Sequence, residues 1–149
     1  MVMKRTLNRL LRLRELEEEL SRLELELAVA ERNSRKQEVA LAVSRQMQGR
    51  RSFAAGIGEQ NELARTAGLL ESEEAQKLRL RVEPYLEASD REVSRRQVDF
   101  LSRRTGRRQV ETLLEDELNK VKIETGRRTQ QAIDDWYGRR AAKETGRRS

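Results

Sequence analysis

At 149 residues the chain has room for one ordinary domain, yet 39% charged and 3% aromatic residues leave too little apolar mass for a thick two-layer core. Its 32 Lys and Arg outnumber 26 Asp and Glu, for a net charge of +6. With neither Cys nor His, it can hold no disulfide, thiolate nucleophile or Cys-ligated zinc, and it lacks the commonest general base.

The apolar residues are mostly Leu, Val and Ala, which suit a narrow seam between helices. The expectation is an all-α fold: a long antiparallel two-helix coiled-coil hairpin forming a single domain over 1–149, with room for short helices near the turn. No apolar run approaches the ~20 residues needed to cross a bilayer. The opening has bases but no continuous apolar stretch or small-residue cleavage site, so a cytoplasmic protein is expected.

Helix one is expected over about 4–48, which contain neither Gly nor Pro. At 1.5 Å per residue it would run roughly 65 Å. Leu13, Leu16, Leu20, Leu23, Leu27 and Ala30 alternate in steps of three and four, the mark of a helix-pairing seam. Such a seam can pair within one chain or between two. Beyond Ala30 it weakens at Ser34 and Gln37, and a second frame through Ala40, Val43 and Met47 competes with it.

Gly49, Gly56 and Gly58 predict a turn or irregular segment over about 49–58, which favours an antiparallel hairpin. A short helical stretch follows over about 59–83, weakened by Gly68. Pro84 predicts a kink or a fresh start, since Pro suits a first helical turn better than an interior. The long second helix then spans about 85–143, with a basic tail to 149. Its seam candidates are Val93, Phe100, Val110, Leu114, Leu118 and Val121. The helices would differ in length, so either 59–84 folds back or the second helix overhangs.

Thr-Gly-Arg-Arg occurs at 105–108, 125–128 and 145–148, a period of 20. Twenty residues turn a helix about 5.6 times, so the copies do not share a face. Coincidence in an Arg-rich composition is one reading, and contact with phosphate or an acidic partner is the other. Charge is also blocked along the chain. Residues 1–14 hold five bases and no acid, 15–31 carry −6, 32–51 and 95–108 carry +5 each, and the tail from Arg139 carries +4. Such blocks steer which segments pair.

No catalytic constellation is visible, and the chain is not expected to be an enzyme. Gly56-Ile57-Gly58 lacks the strand, third Gly and Lys-Ser/Thr of a phosphate loop. The Glu-rich segment lacks the Glu-x-x-His pairs of a di-metal bundle, so no metal or other cofactor is expected. Five aromatics, not interleaved with bases, supply no stacking platform, so no specific nucleic-acid partner is expected. Trp136, Tyr137, Arg139 and Arg140 are of the types that dominate protein-binding hot spots. The neighbouring Asp134 and Asp135 read as solvent-facing.

The opening Leu7-Asn8-Arg9-Leu10-Leu11-Arg12-Leu13-Arg14-Glu15-Leu16-Glu17-Glu18, running into the Leu seam, resembles the flagellar FliJ family. Gln130-Gln131-Ala132-Ile133-Asp134-Asp135 and the basic tail are similar to that family's charged C-terminal helix. The likeness covers most of the chain and rests on architecture and short motifs. It implies a central stalk of the bacterial flagellar type III export apparatus. Such a stalk would sit inside the hexameric export ATPase, contact the export gate membrane protein and help escort other export chaperones. It would be cytoplasmic and peripherally associated with the inner membrane through that apparatus. Residues 49–58 depart from the family pattern, so no gate-contact residue is assigned.

An antiparallel hairpin would bring the basic ends, 4–14 and 139–148, together against a ring interior. Candidate partner contacts are Arg5, Leu7, Arg9 and Arg12 with Trp136, Tyr137, Arg139 and Arg140. Alternatives are a homologous stalk of a virulence-type secretion or rotary ATPase, a parallel scaffold dimer, and a basic nucleic-acid-binding coiled coil.

Overall fold

The computed structural model describes residues 2–148. It is an all-α helical hairpin: α1 spans Val2–Gly58 and α2 spans Glu62–Arg148, and among the described residues only 59–61 are non-helical. Contacts divide it into two compact units. The turn unit is Glu17–Arg103, and the terminal unit joins the start of α1, up to Leu16, with the chain from Arg104 onward.

In the turn unit the helices meet through small residues at heptad spacing. Ser21, Ala28, Ala42, Gly49 and Gly56 are buried on α1 at intervals of seven or fourteen. Gly68, Ala75, Val82 and Val93 are buried on α2. Ala42 is 1% exposed and Ala75 fully enclosed, whereas among the described residues no large side chain is completely buried. Small residues let two helix backbones approach, so stabilisation comes from close packing of main chain rather than from bulky interdigitation. Ion pairs between the helices fix the register. Arg96 meets Glu24 at 2.8 Å and, one heptad further, Arg103 meets Glu17 at 3.2 Å.

Three sequence expectations need correction. First, Gly49 and Gly56 do not end helix one, which continues ten residues beyond 48 to Gly58. They lie on the packed face. A Cβ on Gly49 would stand 2.7 Å from the Gly68 carbonyl oxygen, and one on Gly56 would stand 2.7 Å from the Arg65 amide nitrogen. Glycine is there for the close approach, and its helix-propensity cost of ~1 kcal/mol is offset by contact. The reversal is confined to Glu59, Gln60 and Asn61. Gln60 takes the left-handed conformation at φ 54°, the Asn61 amide donates to Gly56 O at 2.8 Å, and the Gln60 amide donates to Ile57 O at 3.3 Å. This is a Schellman cap. Asn61 also starts α2, its side-chain oxygen accepting from the Ala64 amide at 3.2 Å. Gln60→Gly is expected to raise the melting temperature, because a left-handed non-glycine residue costs about 1–2 kcal/mol.

Second, Pro84 does not start a new helix at 85 after a short 59–83 stretch, but lies inside the continuous α2. It sits on the exposed face, two residues beyond buried Val82. There the carbonyl of Leu80, which loses its amide partner, can turn to water. No tail separates after 143, since α2 continues to Arg148.

Third, Leu13, Leu16, Leu20, Leu23 and Leu27 do not line the contact between α1 and α2. Each is exposed, from 46% at Leu23 to 71% at Leu27. In the turn unit, Leu20 and Leu27 directly precede buried Ser21 and Ala28, which rotates them about 100° away from the packed face. Of the α2 candidates, Val93 is buried and Phe100 half-buried in this unit, while the terminal unit holds buried Val110 and half-buried Leu114. Leu118 and Val121 are exposed and lie outside the packed face.

Surface carboxylates are tied to neighbouring arginines. Arg22 hydrogen-bonds Glu19 and holds its carboxyl below the ordinary glutamate range. Arg95, then Arg96, do the same for Glu92. A carboxyl whose folded pKa is depressed stabilises the fold above its unfolded pKa, and that contribution is lost as pH falls through the folded value. The hairpin is therefore expected to melt lower in acid, below the ordinary glutamate range. Carboxyl titration by NMR should place Glu19 and Glu92 below the ordinary glutamate range.

Candidate protein-interaction site

The register of the terminal unit decides where its candidate contacts lie. A Cβ on Gly106 would fall 4.0 Å from the Arg14 side chain, so these two positions face each other. Counting outward one residue for one, Val2 is level with Leu118. Every residue of α2 from 119 to 148 is exposed. At 1.5 Å per residue this free stretch is about 45 Å long. Of the two possibilities for the unequal helices, the overhang is the one realised.

The described residues of this stretch lie open to solvent, and its side chains pair along its own surface. Arg128 pairs with Glu124 at 2.8 Å, Arg140 lies 4.0 Å from Glu144, and Gln130 donates to Asp134 at 3.0 Å. Such i, i+4 pairs each contribute only a few tenths of a kcal/mol to a helix. From 119 to 148 there are nine Lys and Arg against four Asp and Glu.

The aromatic cluster lies within this stretch. Trp136 and Tyr137 are about half-exposed, and their rings meet edge to face at 5.0 Å and 79°. The Arg140 guanidinium stands 5.4 Å from the Trp136 ring centre. Arg139 is exposed beside them. The result is an apolar plate carrying a cation on its face, held open to solvent. It can accept a partner's apolar side chain and a carboxylate together.

The structure does not bring this patch to the other predicted contacts. Arg5, Arg9 and Arg12 are exposed and Leu7 is half-buried. By the register they are level with residues 108 to 115. The level of Arg5 is therefore about 30 Å along α2 from Trp136. The basic segments 4–14 and 139–148 do not meet, because residues 4–14 are level with 106–116 of α2. The Thr-Gly-Arg-Arg copies differ correspondingly. Gly106 faces Arg14, whereas Gly126 and Gly146 have open space where a side chain would be.

Among the described residues no group of three or more carboxylates is placed to hold a metal ion. No described helix is long and apolar enough to cross a membrane. No protein-family model matches the chain, and no curated protein or solved structure matches it.

Proposed function

We propose that this chain is a non-catalytic stalk that works through the free end of α2, in the manner its resemblance to the flagellar FliJ family implies. The observation that carries the reading is the overhang: about thirty residues of basic helix, bearing one exposed Trp-Tyr-Arg patch, with no packing partner on α1. A single helix, about 10–12 Å across, is a narrower insert for a ring pore than a paired hairpin. On this reading the free end inserts into the hexameric export ATPase and stimulates or couples hydrolysis. The remainder contacts the export gate and other export chaperones, giving peripheral association with the inner membrane.

The test is ATP hydrolysis by a hexameric flagellar export ATPase titrated with the chain. Stimulation should rise and saturate with the intact protein, and should be largely lost when residues 139–149 are removed. The hairpin should melt unchanged in that truncation, because none of the described residues removed is buried. Equal stimulation by both forms would place the contact elsewhere.

A further inference from the structure

The turn unit carries a second unpartnered surface, on the other helix. Leu20, Leu23 and Leu27 are 59%, 46% and 71% exposed on the outward side of α1. Scattered exposed leucines need no explanation, but these keep the three-four spacing of a helix-pairing seam while facing away from α2. We infer that this outer face of α1 docks a partner helix whose apolar seam is flanked by Lys or Arg.

Charge selects that occupant. One flank of the stripe carries Glu19 and Glu26, the other Glu24 and Glu31. From Glu17 to Glu31 there are six Glu and one Arg. Arg22 pairs with both Glu19 and Glu26, and Arg96 and Arg103 reach across from α2 to Glu24 and Glu17; the six carboxylates still outnumber these three arginines. A second copy applying the same face would set Glu against Glu in either direction, because both flanks are acidic. The basic free end of another copy is also a poor match. Within 119–148 no three apolar residues follow the three-four alternation. A foreign helix with Leu or Ile at its seam and bases beside it meets both requirements. This surface is separate from the α2 free end and does not depend on the stalk reading.

The probes are three labelled peptides: a heptad peptide with Leu at its seam and Lys at its flanks, the same peptide with Glu flanks, and residues 119–148 of this chain. Binding to the full-length protein is followed by fluorescence anisotropy at low salt. The Lys-flanked peptide should bind at least about tenfold more tightly than either of the others. The double variant Leu23→Gln, Leu27→Gln should weaken that binding by about tenfold or more, with the hairpin's melting unchanged. Glu19→Lys with Glu26→Lys should shift the preference toward the Glu-flanked peptide. No binding, or equal binding of Lys- and Glu-flanked peptides, overturns the inference. So does tighter binding of 119–148, or a self-association abolished by Leu23→Gln, since either makes a second copy the occupant.

Discussion

Gly68→Ala should lower the melting temperature of the hairpin by several degrees, although alanine is the better helix former by ~1 kcal/mol. The new Cβ would stand 2.5 Å from the Phe53 amide nitrogen and 2.6 Å from the Gly49 carbonyl oxygen. Both are backbone atoms, so no side chain can swing aside, and the helices must separate. Forced overpacking costs typically about 1–3 kcal/mol and occasionally more. A separation at Gly68 also loosens Gly49, whose own Cβ would collide with Gly68 O and Ser72 N at 2.7 Å. Gly49→Ala should therefore act in the same direction, and the two substitutions together should cost less than the sum of the singles, because both strain one shared contact that a single separation of the helices accommodates. The control is Gly126→Ala or Gly138→Ala. Both sites have open space around the missing side chain, so alanine should raise helix content there without lowering the melting temperature. Thermal melts by circular dichroism distinguish the two groups by sign.

Pro84→Ala should move stability the other way, by up to about 3 kcal/mol. Pro84 is the chain's only proline and lies inside the 87-residue α2. It withholds one backbone hydrogen bond and crowds the carbonyl four residues earlier. Its exposed position means that no packing contact is forfeited on substitution. Nearby, Arg35 of α1 lies 5.4 Å over the Tyr85 ring and holds the helices together just beyond the proline. The expected result is a higher melting temperature with unchanged hairpin register. A fall in stability would show that the proline shapes the contact around Tyr85 and Arg35.

Much of the architecture was legible in the sequence. The Gly- and Pro-free run over 4–48 and the three-four leucine spacing pointed to paired helices, because length and periodicity are local properties. What could not be read locally was which face of α1 pairs. The leucine stripe is the louder signal, yet the helices use the quieter heptad of Ser21, Ala28, Ala42, Gly49 and Gly56. That heptad was visible as small residues at sevenfold spacing, and Gly68 and Ala75 repeat it on α2. Gly49 and Gly56 were misplaced because glycine permits both a turn and a close approach, and only the facing backbone tells them apart. The Trp136–Arg140 patch was readable from residue type alone. Its distance from Arg5 and Arg12 was not, because the register of the terminal unit depends on which residues face each other there, as Gly106 faces Arg14.

The most direct measurement is hydrogen exchange of the full chain, alone and with a hexameric export ATPase. Alone, the amides of 119–148 should exchange fast, since no tertiary packing covers them, while the buried heptad of the turn unit exchanges slowly. With the ATPase, protection should appear across 119–148, centred on Trp136 and Tyr137, and leave 17–103 unchanged. Unaltered exchange over 119–148 in the presence of the ATPase would contradict the account.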